Sequence, residues 1–206
     1  MTTTIVPLLK PVKLADLRPT QITVGMREVA QKRHQWREHI EKDGPDFLGR
    51  HMIPVVLGSR NRPYVIDHHH LARALIDEGV DQVLIYVMGD LSSLTKPAMW
   101  VYLDNRAWCH PYNAEGERVS FDAIPKSIAE MTDDPYRSLA GELRRAGGYA
   151  KTEAPFSEFL WADFLRRRIK PRALDKDFPA ALTDALTLAK GEEAQYLPGW
   201  CGPHPI

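Results

Sequence analysis

The residues of this chain best suited to chemistry are Asp67-His68-His69-His70. They stand where Pro63-Tyr64-Val65-Ile66 gives way to Leu71-Ala72-Arg73-Ala74-Leu75-Ile76-Asp77-Glu78 and then Gly79. The first run reads as a strand and the second as a helix stopped by glycine. Amides in a helix's first turn have no partner within the helix and lie at the positive end of its dipole, so such a junction favours an anion such as phosphate. Imidazoles there can donate hydrogen bonds when charged, take a proton when neutral, or bind a metal, and the dipole disfavours the charged ring. Three readings stay open for the triplet: packing and capping, a phosphate site using His68, His69, His70 and Leu71, or a metal site on Asp67 with one or two histidines. Neighbouring residues at a strand end point to opposite sides, so three rings do not converge on one ion. Phosphate binding is the reading preferred. Asp67 has its own alternatives: orienting a histidine, holding Mg2+ through water, or capping the helix.

Further along, Tyr136, Arg137 and Lys151 offer a phosphate clamp, although Arg137 can equally pair with Asp134 three residues back. Glu158 is flanked by aromatics, and burial there raises a carboxyl pKa, making it a catalytic candidate. Phe156, Leu160 and Phe164 fall on one helical face and read as core, with Glu158 and Trp161 on another. Arg166-Arg167-Arg168 and Lys170-Pro171-Arg172 form a local basic cluster, read as a solvated helix end.

Elements must position these groups. Val12-Lys13-Leu14 reads as a short strand before the turn Asp16 to Thr20. A helix is expected from Thr23, with Met26, Val29, Trp36 and Ile40 inward and Gly44-Pro45 as its stop. Ile53 to Leu57 and Pro63 to Ile66 form a hairpin through Gly58-Ser59-Arg60-Asn61-Arg62, whose arginines are expected in solvent, and Gln82 to Met88 suits a buried strand. Helices are then expected at Lys96–Trp108, with Met99, Trp100 and Leu103 inward, at Ile124–Met131, from Asp134-Pro135 to Arg145, from Pro155 to Ile169, and at Ala180–Lys190. The fold class is α+β, with a sheet-bearing part at 1–92 and a helical part at 93–206 packed on it.

The chain has 206 residues, 44% hydrophobic and 26% charged, with 27 basic and 27 acidic residues. That is ordinary for a globular protein, and the balanced charge removes the general electrostatic case for nucleic acid. Cys109 and Cys201 lie far apart and outside any zinc spacing. No membrane partner is expected, and the leader-free start suggests a cytoplasmic protein.

The Asp-x-His-His element between strand and helix, with the leading Asp16-Leu17-Arg18-Pro19-Thr20, resembles the ParB/sulfiredoxin fold. Ile66 to Leu75, Asp133 to Ala140 and Phe156 to Phe164 resemble more closely the bacterial group labelled ParB-like nucleases. The resemblance implies a nucleotide phosphate at the loop, with ATP, ADP or CTP and Mg2+ as cofactors, and places Asp67, His69 and His70 on motif positions. It also implies that Arg27 and Glu28, beside the leading turn, face the nucleotide, and that Glu28 is a candidate base. His68 stands where the motif has glycine and Leu71 where it has arginine, leaving Arg73 as the nearest arginine. The loop has no cysteine for sulfiredoxin chemistry. Gln21 replaces the glutamate that serves as base in the serine-kinase group, and no helix-turn-helix follows. The functions implied are nucleotide-dependent phosphoryl transfer or NTP hydrolysis, metal-dependent nuclease action, or a non-catalytic nucleotide- or DNA-binding module.

Overall fold

The computed structural model describes residues 10–43 and 52–203, in which strands and helices alternate before a purely helical end. The strands are β1 (Lys10–Lys13), β2 (Thr23–Val24), β3 (Ile53–Gly58), β4 (Arg62–Val65), β5 (Gln82–Asp90) and β6 (Thr132–Asp133). The helices are α1 (Met26–Asp43), α2 (His69–Asp77), α3 (Lys96–Asn105), α4 (Pro135–Arg145), α5 (Ser157–Arg166), α6 (Pro171–Lys176) and α7 (Phe178–Lys190). The mixed α+β class expected from the sequence is the one observed.

Four strands make one sheet in the order β1-β5-β3-β4, with β3 parallel to β5 and the outer pairs antiparallel. Valine and isoleucine supply the buried apolar positions of these strands, and alternation sends successive residues to opposite faces. Val55, Val65, Val83 and Ile85 join Val29 and Trp36 of α1 and Leu71 and Leu75 of α2 in one core. Val56 points the other way, into a smaller core with Met99, Trp100 and Leu103 of α3. A third core belongs to the C-terminal helices, where Trp161 and Phe164 pack with Leu139, Leu143 and Ala185, and Trp161 stacks on Tyr149 at 4.4 Å.

The boundary expected between 92 and 93 is crossed by several contacts. Ile128 and Met131 are buried in the first core. β2 pairs in parallel with β6, and the Asp133 carboxylate accepts the Met26 N–H at 2.8 Å, closing the start of α1 from far along the chain.

Several element expectations are corrected. The first helix begins at Met26 because Thr23 and Val24 pair with β6. Ile40 is 43% exposed, and the Gly44-Pro45 stop lies outside the described residues. α3 ends at Asn105 as the backbone turns left-handed at Ala107 (φ 53°). Ile124–Met131 holds only a 3-10 turn, Ile128–Glu130, because Met131 leads straight into β6. α5 spans Ser157–Arg166, and Leu160 is 47% exposed, whereas Trp161 and Leu165 join Phe164 inside. α7 opens earlier than expected, at Phe178, where Asp177 accepts the Ala180 N–H. The Lys170-Pro171-Arg172 run proves to be the start of α6, with proline in the first turn. Among the described residues no helix is long and apolar enough to cross a membrane.

Candidate functional site

α2 begins three residues after β4, past Ile66, Asp67 and His68, with His68 in the left-handed region at φ 65° and no side chain capping the helix. The first bond along this helix start runs from Ala72 N to His68 O, at 2.9 Å, so the amides of His69, His70 and Leu71 precede it. Asp67 is exposed and accepts the His68 N–H at 2.6 Å. The His68 ring nitrogen Nδ1 lies 3.2 Å from the Met52 carbonyl. All four loop residues, together with Leu71, line one cavity of about 700 Å3.

The two buried histidines are not presented as free bases. His69 Nε2 accepts the Thr20 N–H at 3.2 Å, and Thr20 in turn donates its hydroxyl to the Val65 carbonyl at 2.7 Å. His70 Nε2 accepts the Gly25 N–H at 3.0 Å. These bonds tie the segment before α1 to the first turn of α2. Burial pushes the His69 pKa down to about 3 and that of His70 well below the ordinary imidazole value, with Arg137 adding repulsion for His70. Each ring therefore stays neutral with its Nε2 lone pair engaged. Gly25 also lets this segment lie close against α4, because a Cβ there would meet the Ser138 amide nitrogen at 2.9 Å.

Opposite the loop stand charges from α1, α4 and α5. Glu28 accepts from the Arg137 guanidinium at 3.0 Å and lies 3.9 Å from His70 Nε2, all three groups being largely buried. Gly141 leaves room for the pair, since a Cβ there would sit 3.2 Å from the Glu28 carboxylate and 3.3 Å from Arg137. Glu158 is held by Arg144 at 2.7 Å and by the Ser157 hydroxyl at 3.2 Å. Lys32 and Lys151 also line the cavity, and neither forms an ion pair among the described residues. The cavity thus carries Lys32, Arg137, Arg144 and Lys151 against Glu28, Asp67 and Glu158.

The structure brings Asp67, His68, His69, His70 and Leu71 together with Glu28, Arg137, Lys151 and Glu158. It does not bring Arg27 or Arg73 there. Arg27 lies over the Phe178 ring at 3.9 Å, and Arg73 pairs with Asp77 and donates to the Met131 carbonyl. The Arg137 guanidinium does not pair with Asp134, whose carboxylate instead accepts the Tyr136 and Arg137 backbone N–H groups as the cap of α4 and pairs with Arg166. Glu158 is not an isolated carboxyl among aromatics, because α4 supplies its arginine. The basic end is solvated as expected at Arg167, Arg168, Lys170 and Arg172, and its arginines are paired, Arg166 with Asp134, Arg167 with Asp163 and Arg168 with Glu193. Lys32 and Arg144 join the cavity without having been expected there from any motif, though helical spacing offers a signal for both. Lys32 follows Glu28 by four residues and Arg144 follows Arg137 by seven, so each shares its neighbour's face.

Among the described residues no three histidine, cysteine or carboxylate side chains come together as a metal site. Of the carboxylates lining the cavity Asp67 is the one without an ion pair among the described residues, so a Mg2+ ion, were one bound, would have Asp67 on the protein side and would need further oxygen ligands from elsewhere.

No curated protein matches the chain. Among solved structures it is similar to protein Atu1540 from Agrobacterium tumefaciens, with 51% sequence identity and a TM-score of 0.90. The likeness covers 97% of this chain and 99% of that one. A family model described as "Putative ParB-like nuclease" matches residues 10–167, from β1 through α5 and hence every residue of the cavity just described. The chain belongs to this ParB-like family.

Proposed function

We propose that the cavity binds the phosphate of a nucleotide or a similar phosphate ester, and that the protein is a phosphate-handling enzyme acting by phosphoryl transfer or NTP hydrolysis. One observation carries the reading: the first-turn residues of α2, His69, His70 and Leu71, line a cavity of about 700 Å3 together with Lys32, Arg137, Arg144 and Lys151. Amides and guanidinium groups fixed in a partly closed site hold developing charge on phosphoryl oxygens without reorganising. His69 and His70 act by position, locking the loop to the segment before α1. Asp67, the lining carboxylate with no ion pair among the described residues, is the group available to take a proton from the nucleophile. Mg2+, held by Asp67 when bound, would neutralise phosphate charge.

Thermal-shift titration with ADP, ATP and CTP, with and without MgCl2, tests this. A nucleotide at about 100 times its Kd should stabilise the native state by about 2.7 kcal/mol. Lys32→Ala combined with Lys151→Ala should weaken that binding at least tenfold. Asp67→Asn should keep binding and lose conversion of NTP to NDP. Absence of any shift with all three nucleotides and with pyrophosphate would sink the proposal.

The family description favours a second reading, a metal-dependent nuclease working at the same loop. Mg2+-dependent nicking of supercoiled plasmid, abolished in Asp67→Asn and unaccompanied by NTP turnover, would select it.

A further inference from the structure

A second cavity, of about 450 Å3, lies behind a wall formed by Ala107, Pro155, Phe156 and Phe159, residues that line both cavities. Its central feature is His110. The imidazole lies near-parallel to Tyr112 (centroids 4.4 Å apart, planes at 21°) and to Phe159 (3.9 Å, 31°), with Phe156 at 4.8 Å. Two near-parallel rings at such distances cannot share one face of an imidazole. Both faces are therefore covered, and the edge carrying the nitrogens is what the ring offers. Those nitrogens form no hydrogen bond among the described residues, in contrast to the engaged Nε2 atoms of His69 and His70. Burial, with help from Arg137 and Arg166, holds the His110 pKa down to about 3, so the ring is neutral and presents one donor and one acceptor.

The charges here differ from those of the first cavity. Asp104, Asp134 and Asp163 line it with Arg166 and Arg167, so it has no surplus positive charge to hold a phosphate. Arg166 donates to Asp134 at 2.7 Å, yet its Nε is buried without a partner. Two wall residues, Ala107 and Phe156, hold left-handed backbone at φ 53° and 56°. Non-glycine residues seldom adopt that conformation, and such outliers gather at ligand clamps.

We propose that this second cavity binds a flat, uncharged nitrogen heterocycle, the nucleobase of a mononucleoside being its biological class, read along its edge by His110 within the aromatic walls. A base edge carries both donors and acceptors and satisfies either imidazole nitrogen. Asp104 pairs with Arg118 and Asp163 with Arg167, which leaves the cavity no free positive charge to draw in the backbone of a polynucleotide and favours a single base. This inference stands on its own observations and survives failure of the phosphate reading.

The test uses the full chain and phosphate-free probes: adenosine, guanosine, cytidine and uridine. At least one should raise the melting temperature and move the aromatic NMR signals of His110 and Tyr112. Its Kd should weaken at least tenfold in His110→Phe, which keeps the ring stack and removes the nitrogens. If that variant does not fold, the NMR map on the natural chain decides. Four inert nucleosides, signal changes confined to His68–Leu71, or undiminished binding by folded His110→Phe would each overturn the proposal. So would a single-stranded oligonucleotide binding far more tightly than its nucleosides, with steep salt dependence. A shift with pyrophosphate but with no nucleoside would overturn this inference and leave the phosphate reading standing; the reverse result would do the opposite.

Discussion

Glu28 and Arg137 come from helices more than a hundred residues apart in sequence, meet at 3.0 Å, and are both largely buried beside the α2 loop. A buried pair of this kind contributes little net stability, but breaking it strands a charge. Arg137→Met should therefore cost about 3–5 kcal/mol, measured by urea denaturation, and adding Glu28→Met should restore most of it. If the double variant is no more stable than the single one, the pair is not the source of the loss. At this scale the sequence was partly legible. Types and motif positions were enough to mark Asp67, His69, His70, Glu28, Arg137, Lys151 and Glu158, all of which line one cavity. The roles were less legible, because a histidine's job depends on which backbone amide reaches it. Thr20 and Gly25 supply those amides, and nothing in their spacing from the triplet shows it. His68 is instructive in another way. It occupies the motif's glycine position and takes the left-handed backbone that glycine enters without steric cost.

At the scale of elements, periodicity located α1, α2 and the sheet strands, whereas pairing over long separations decided the rest. Thr23-Val24 and Thr132-Asp133 are too short to read as strands alone, and each is a strand only because the other is there. The same junction caps α1, since Met26 N–H donates to Asp133 rather than to a residue before the helix. Asp133→Ala should cost about 1 kcal/mol, the usual loss for a missing helix cap. It should also speed amide exchange in the first turn of α1 ahead of the rest of that helix. An unchanged exchange pattern would show that the cap adds nothing. α5 shows a different limit: Phe156 was placed on the core face, but its left-handed backbone ends the chain's approach and resets the phase of the helix behind it.

Across the whole molecule, balanced composition correctly indicated a charge-neutral globular protein, yet it hid how protonation would act on it. His69 and His110 have pKa values near 3 in the folded chain against an ordinary 6.5, and His70 is shifted the same way. Below pH 6.5 the unfolded chain takes up protons that the folded chain refuses, so stability is complete above that pH and falls as pH drops toward 3. Each histidine contributes at most about 1.4 kcal/mol per pH unit to that slope. Glu78, gripped by Arg33 and Arg37 with its pKa down to about 2, adds a loss only below its ordinary 4.5. Urea denaturation between pH 7 and pH 5 should thus show a steep decline that His69→Gln reduces by one proton's worth. An equal slope in that variant would mean His69 is protonated in the folded state.

The burial of Ile128 and Met131 in the sheet's core, with Asp133 closing α1, has a consequence for biosynthesis. When Asp90 leaves the ribosome the whole sheet has been made, yet its apolar groove still lacks the segment that fills it. About 40 further residues must emerge, some 2–8 s at ordinary translation rates, during which chaperones rather than native contacts must shield that groove. A nascent chain stalled before Ile128 should be captured by them, and one stalled well past Asp133 released.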